Sequence, residues 1–463
     1  MVLLLTDTVG MSRRAGAYTI ANCLRKEHID VQVIDYLSKW SINRLFDLFD
    51  SIANIEWVGI SASYLHYHKH TENPKRITDL PYSSEIKLIE YFRNRNIPII
   101  IGGANADTIK NYVEKFWISV GYSDIAIIEF HKHITKNKDI IYDIVNENKV
   151  IFADRDYGNI NLTTINSEYS GDDFINNELI PLEISRGCIF KCKFCEFAYL
   201  GKKPGTYIRD KGSIKSDIVK SFENGITTFL FLDDTFNDSI EKMQTIKDIR
   251  EETGIPFTFW AYGRLDLMAR YPEMVDLIGS IGWRAISFGV ETFNKKSGSS
   301  VGKGMNPEKL KKCLLEIKKK YPDIHIQINL IIGLPYSTKE DIKESVDWFL
   351  DNNVADYLRV IDLDIRDPSR ISFSSEFSKN PEKYGYQIIS TDSLRYSWNN
   401  DYWTNLSAKL YAEEINKYID SKKKDNSPFH IEYYKNQNVK TVNEYFLNSA
   451  YFNNKEKLIY DSN

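Results

Sequence analysis

The chain alternates short apolar runs with segments of helical spacing. It does so in two series separated by a polar stretch. In the first series, strand-like runs fall at residues 2–7, 31–36, 57–63, 97–101 and 117–120, and helix-like segments at 15–27, 42–52, 83–94 and 108–116. Parallel strands cannot be joined by tight turns, so each pair needs a crossover long enough to hold a helix. Residues 1–130 are therefore predicted to form a doubly wound α/β domain, in which ligands bind beyond the carboxyl ends of the strands. Ser, Asn, Asp and Thr dominate 153–177, so residues 131–180 read as a connector.

The second series begins at residue 182. Its strand-like runs lie at 182–185, 228–232, 258–261, 285–289, 324–332 and 357–361, with helices such as 214–223, 240–251 and 339–351 between them. Six βα units predict a partial (β/α)6 barrel over 181–365, with its site at the carboxyl ends of the strands. Residues 366–463 are rich in Tyr and Trp and weakly periodic, apart from a helix near 406–419. They are predicted to be a mixed α/β or helical cap over the substrate region.

Directly after the first strand of the second series comes Arg186-Gly187-Cys188-Ile189-Phe190-Lys191-Cys192-Lys193-Phe194-Cys195, a C-x3-C-x2-C loop. The chain has five cysteines, and the other two, Cys23 and Cys313, are isolated in helix-like segments. That is a poor disulfide framework and a good metal loop. Cys192 and Cys195 would suit half of a structural zinc site, but there is no second pair and no nearby His. Three thiolates without a local fourth ligand leave one iron of a [4Fe–4S] cluster open.

This loop resembles that of the radical S-adenosylmethionine (SAM) enzymes, in which the open iron is chelated by SAM. The resemblance covers the predicted barrel. It implies that Cys188, Cys192 and Cys195 ligate the cluster and that Phe194, before the third cysteine, contacts the adenine. Phe231-Leu232-Asp233-Asp234-Thr235-Phe236 ends the second strand and is similar to the Asp-Asp-x-Phe variant of cobalamin-linked members. Asp233 or Asp234 would then meet the SAM amino group, although the usual Gly-Gly-Glu is absent. A helix N-cap is the alternative for the pair. Arg264 matches the family arginine at the third strand end, with a surface ion pair as its alternative. In Ser287-Phe288-Gly289-Val290-Glu291-Thr292, the fourth-strand motif, Glu291 would face the ribose or methionine end of SAM, and Lys303-Gly304 resembles the Lys-Gly that follows it. Asn329-Leu330-Ile331-Ile332-Gly333-Leu334-Pro335 resembles the fifth-strand motif, where Gly333 would let backbone approach the adenine. Ser337 with Glu340 reads as a capping box.

Residues 1–130 resemble the cobalamin-binding domain of B12-dependent radical SAM enzymes. Val58-Gly59-Ile60-Ser61 and Ile99-Ile100-Ile101-Gly102-Gly103 match its third and fourth strands, so Ser61, Gly102 and Gly103 are expected at the cobalamin. The Asp-x-His-x2-Gly cobalt-ligand motif is missing after strand one, and some relatives keep this fold without the cofactor. His66, His68 and His70, beyond strand three, read as surface residues or as alternative cobalt ligands.

The resemblance implies reductive cleavage of SAM to a 5′-deoxyadenosyl radical and cobalamin-dependent methylation of an unactivated carbon. The alternatives are a cyclase, isomerase or mutase without methyl transfer, and a non-catalytic B12-fold sensor that keeps a structural cluster. A thiomethyl-transferring relative would need further cluster cysteines, and only Cys23 and Cys313 are spare. The expected partners are a small-molecule or biosynthetic-intermediate substrate and an electron donor such as flavodoxin or ferredoxin. A net charge of −4 gives no reason to expect nucleic acid. Residues 309–320 are Lys-rich but read as a solvated amphipathic helix. No apolar run approaches the ~18 residues of a membrane span. The amino terminus lacks the basic start of a signal peptide, and free thiolates fit a reducing cytoplasm.

Overall fold

The structure is a computed structural model. It describes residues 1–7, 12–62, 84–103, 106, 116–145, 147–152, 169, 177–197, 200–202, 207–304, 306–368, 374–391, 396–423, 426, 453, 455–457 and 459. The chain divides into two compact units. One comprises Met1–Pro181, Gly212–Ile226 and Lys440–Asn463; the other comprises Leu182–Lys211 and Thr227–Val439.

The first unit holds a sheet of strands β1 (Val2–Leu5), β2 (Val31–Ile34), β3 (Trp57–Ser61), β4 (Ile99–Gly102), β5 (Trp117–Val120), β6 (Asp143–Val145) and β7 (Asn148–Phe152), in the order β2-β1-β3-β4-β5-β7-β6. Pairing is parallel from β2 through β5 to β7. The strands are near-continuous apolar runs, VLLL and IIIG among them, as a sheet covered on both faces requires. The chain passes from β1 outward to β2 and then crosses to β3 on the other side. The β1/β3 boundary is therefore the switch point, where a doubly wound sheet opens a crevice at its carboxyl edge. Residues 131–180 are not a plain connector. They supply β7 and an antiparallel edge strand, β6, and they pack as part of this unit. β6 and β7 both precede the polar stretch 153–177 and are only three and five residues long, so their apolar signal was weak. The predicted helix at 108–116 and His66, His68 and His70 lie outside the described residues, the helix all but its last.

Arg13 anchors a buried polar cluster that no motif announced. Its guanidinium bonds Glu178 at 2.5 Å and Tyr18 at 2.8 Å, Tyr18 donates to Asp35, and Tyr36 donates to Glu178 at 2.9 Å. Burial opposes ionisation of Arg13, but Glu178, Tyr18 and Asp35 outweigh it and hold its pKa above the ordinary value.

The second sheet runs β8 (Leu179–Leu182), β9 (Thr228–Phe231), β10 (Thr258–Gly263), β11 (Trp283–Glu291), β12 (His325–Ile332) and β13 (Tyr357–Asp362), each strand beside the next in sequence. Pairing from β9 to β13 is parallel, with helices in the crossovers, which is the partial (β/α)6 barrel. Phe231, Phe236, Phe259 and Trp283 stack and edge against one another at its core, with centroids 4.0 to 5.9 Å apart.

The described residues between 366 and 426 belong to this unit instead of forming a separate cap. Their main helix, Asn405–Lys422, lies along the edge strand β13. Each residue of a parallel strand turns both its N–H and its C=O to one side, so every second residue of an edge strand faces away from the sheet. Asn416 closes this edge at Val360, accepting from its N–H at 3.1 Å and donating to its C=O at 2.8 Å. Asn426 does the same at Leu358, at 2.9 and 3.2 Å. Replacing Asn416 with Leu removes both bonds and is expected to cost about 1–3 kcal/mol. An unchanged urea midpoint for N416L would contradict this role. Among the described residues no helix is long and apolar enough to cross a membrane.

Candidate functional site

The cysteine loop leaves the end of β8 and is tied down on both flanks. The Arg186 N–H donates to the Tyr207 carbonyl at 3.0 Å, and the Arg209 N–H to the Ile184 carbonyl at 2.9 Å. Gly187 takes a left-handed φ of 86°, which turns the chain into the loop. The Lys202 N–H then bonds the Cys188 carbonyl at 3.0 Å, and the Lys193 N–H the Val301 carbonyl at 3.1 Å. Cys188, Cys192 and Cys195 are free thiols on one cavity of about 510 Å³ at the carboxyl ends of the barrel strands.

Cys188, Cys192 and Cys195 all line this cavity, and three thiolates are the donor set that a [4Fe–4S] cluster with one open iron takes. Burial pushes the Cys195 thiol up to about 12 and raises Cys188, so an iron bound there would have to hold these sulfurs as thiolates. Two donors to sulfur are already placed: the Phe190 N–H lies 3.5 Å from Cys188 Sγ, and Arg264 Nη1 lies 3.4 Å from Cys192 Sγ. Thr235 Oγ1 also lies 3.5 Å from Cys188 Sγ, while its hydroxyl donates to the Asp234 carbonyl at 2.8 Å.

Phe194, Asp234, Arg264 and Glu291 line the same cavity. Glu291 reaches it through an irregularity in the β11–β12 register between Gly289 and Glu291. A bulge of this kind re-aims a side chain. Glu291 has a φ of 65°, a strain of about 1–3 kcal/mol for a residue with a side chain. Lys303 holds it there, bonding Glu291 Oε1 at 2.8 Å and the Gly289 carbonyl at 2.5 Å. A Cβ on Gly289 would run into both groups, so this glycine is required by the ion pair. Burial, with Asp233 next to it, pushes the Asp234 carboxyl up to about 7.

Two residues expected at SAM lie elsewhere. Asp233 does not line the cavity. It is fully buried, bonds Lys242 at 2.7 Å and the Ile184 N–H at 3.2 Å, and accepts from Ser185. Lys242 also reaches Asp238 at 3.2 Å, Ser185 Oγ at 2.8 Å and the Thr235 carbonyl at 3.0 Å. Asp233 thus fixes the base of the cysteine loop. Gly333 is likewise absent from the cavity lining. With φ at 100°, it has the Trp398 indole where a Cβ would go, and its carbonyl accepts from Tyr386 and Asn400, each at 2.9 Å. Trp398 is the reason for this glycine. The cap of the helix that follows is Thr338 boxed with Asp341, one residue later than expected.

Thr235, Tyr262, Asn329 and Arg366 also line the cavity. Thr235 and Asn329 belong to quoted motifs but carried no role there. Tyr262 and Arg366 had no signal beyond their place at strand ends.

In the first unit Ser61 and Gly102 are register partners at the ends of β3 and β4, and Gly103 follows with φ at 109°. Among the described residues, the atom nearest to a Cβ built on Gly102 is the Ser119 Cβ, at 4.0 Å.

A family model described as the Radical SAM superfamily matches residues 182–349. An uncharacterized methyltransferase of Pyrococcus horikoshii is 25% identical over 163 residues, 35% of this chain and 34% of that protein. The chain thus spans about a third of that relative's length. Among solved structures, the radical S-adenosylmethionine methyltransferase TsrM from Kitasatospora setae, with cobalamin and [4Fe-4S] cluster bound, has a TM-score of 0.62 at 16% identity, covering 85% of this chain and 81% of its own. The cobalamin-dependent S-adenosylmethionine radical enzyme OxsB, with aqua-cobalamin and S-adenosylmethionine bound, has a TM-score of 0.62 at 15% identity, covering 99% of this chain and 72% of its own. At these identities the likeness is one of fold. Residues 182–349 thus carry a domain that matches the Radical SAM superfamily, over about a third of the chain.

Proposed function

We propose that this chain is a radical SAM enzyme that cleaves SAM reductively and, with cobalamin, methylates an unactivated carbon of a small-molecule or biosynthetic-intermediate substrate. One observation carries the reading: three free thiols share a single strand-end cavity with Glu291, Asp234 and Phe194. The methyltransferase name of the P. horikoshii relative and the cobalamin in the TsrM structure support the methyl-transfer half.

Cys188, Cys192 and Cys195 would hold the cluster, which when bound supplies the electron that splits SAM into methionine and a 5′-deoxyadenosyl radical. Glu291, held by Lys303, offers its carboxylate to SAM hydroxyls. Phe194 offers a flat face to the adenine. Asp234 lines the cavity and would meet the SAM ammonium; with its carboxyl up at about 7, an arriving cation favours the ionised form. Phe197, Tyr262 and Ile361 give the cavity an apolar wall that keeps water from a reactive radical. Ser61, Gly102 and Gly103 would lie against cobalamin, which when bound supplies the methyl group. A donor such as flavodoxin or ferredoxin and a cytoplasmic setting complete the proposal. Cys313 is buried in the helix Pro307–Lys320 and Cys23 lies in the helix Ala15–Lys26 of the other unit, so the spare cysteines build no second cluster.

The test is anaerobic reconstitution with iron, sulfide and cobalamin, then mass spectrometry of SAM products. The expected outcome is 5′-deoxyadenosine together with S-adenosylhomocysteine and a methylated product. 5′-Deoxyadenosine alone would replace methyl transfer with cyclisation, isomerisation or mutase chemistry. A loaded protein that never cleaves SAM would make the chain a sensor.

A further inference from the structure

We infer that Arg264 is a redox-tuning residue: its guanidinium is built to hydrogen-bond the Cys192 sulfur and thereby make the cluster easier to reduce. The inference rests on the cluster assignment proposed above and adds a role to it.

The guanidinium is fixed in position by contacts on every side. Its Nε and Nη2 form a fork on Asp266, 2.9 Å to Oδ1 and 2.6 Å to Oδ2. That fork leaves Nη1 on the opposite corner, and Nη1 lies 3.4 Å from Cys192 Sγ. The flat face of the group rests on Phe190, 3.8 Å from the ring centroid. The backbone is clamped as well. The Arg264 N–H donates to Asn237 Oδ1 at 2.7 Å, and the Arg264 carbonyl accepts from Asn237 Nδ2 at 2.9 Å. Phe190 and Cys192 belong to the cysteine loop, Asn237 follows β9, and Arg264 follows β10, so three strand ends meet at this one side chain.

Arg264 is 5% exposed, and its charge acts in a poorly screened setting. Asp266 cancels part of that charge on the far side. What remains is a dipole with its positive end at the sulfur. Adding an electron to an iron–sulfur cluster increases the negative charge on its sulfurs, so a cationic N–H donor stabilises the reduced state more than the oxidised one. Hydrogen bonds to sulfur and local charge are two of the levers that set such potentials. The N–H of Phe190 acts on Cys188 in the same sense, at 3.5 Å but without a charge. Arg264 is therefore the stronger donor to the loop.

The experiment is a redox titration of the full-length, anaerobically reconstituted protein, read by electron paramagnetic resonance of the reduced cluster. Arg264→Met is expected to shift the reduction equilibrium at least tenfold toward the oxidised state, about 59 mV for one electron. Arg264→Lys, which keeps the charge, should recover most of that shift. The signal comes only from loaded molecules, so poor loading of R264M does not blur the reading, and Arg264→Gln serves as a second neutral variant. A second readout is an exchangeable-proton hyperfine coupling, present in wild type and R264K and lost in R264M. If the neutral variants load less cluster but keep the wild-type midpoint, Arg264 is merely structural and the inference fails. A wild-type protein that takes up no cluster at all would instead overturn the cluster assignment, and the inference with it.

Discussion

Cys192→Ala is expected to leave the protein folded and unable to cleave SAM. Cys192 is only partly buried and contributes little to the apolar core, so its loss costs little stability. It does remove one of three thiols on the cavity and the sulfur that Arg264 addresses. Loss of a partner beyond the ligands of a metal site typically costs 10–100-fold, and loss of a ligand itself should exceed that. SAM cleavage in C192A should therefore fall to the level of buffer, with iron and sulfide content well below wild type. Cys23→Ala is the control, because Cys23 sits in the other unit and should leave turnover unchanged. Turnover retained in C192A would refute the assignment of the loop.

Lys242→Met is expected to have the largest effect on stability. Lys242 and Asp233 are both fully buried and 2.7 Å apart, with Asp238 3.2 Å from the same ammonium. Burial works to lower the Lys242 pKa, but Asp233 and Asp238 outweigh it and hold the pKa above its ordinary value. Without the ammonium, two buried carboxylates lose their shared partner, and breaking a buried pair in this way costs about 3–5 kcal/mol. That is a large part of the ~5–15 kcal/mol that stabilises a typical domain. Urea unfolding should show it directly. The double variant Lys242→Met with Asp233→Asn should recover part of the loss, because one stranded charge is gone. If K242M unfolds at the wild-type midpoint, the network does not hold the base of the cysteine loop.

The strands were the most legible part of the sequence. Five of the six barrel strands fall where apolar runs predicted them, with ends that agree within two residues. The clearest shift is the first strand, which is Leu179–Leu182 against a predicted 182–185. Strand ends are set by where pairing stops, and a run of apolar residues does not record that. β6 and β7 went unread for a related reason. They are short, and β6 is an exposed edge strand with a weak apolar signal.

The site was legible as a set of motifs but not as a set of directions. Asp233 and Asp234 are adjacent in the segment beyond β9, which ends at Phe231, so no strand alternation told them apart. The sequence offered both to SAM; the fold gives Asp234 to the cavity and Asp233 to Lys242. Glu291 enters the cavity through a bulge that no local pattern encodes. Gly333 was read as room for a nucleoside, and its neighbour is Trp398, 65 residues further along the chain.

By itself the sequence determined the class of fold, the positions of most strands along the chain and the loop whose three cysteines line the cavity. Periodicity and spacing are local, and each can be read from a window of the chain. Only the tertiary structure decided which side chains share the cavity, which are held back by buried partners, and which nitrogen points at Cys192. Those depend on backbone direction and on contacts between residues far apart in the chain, where small changes in register move a group from one environment to another.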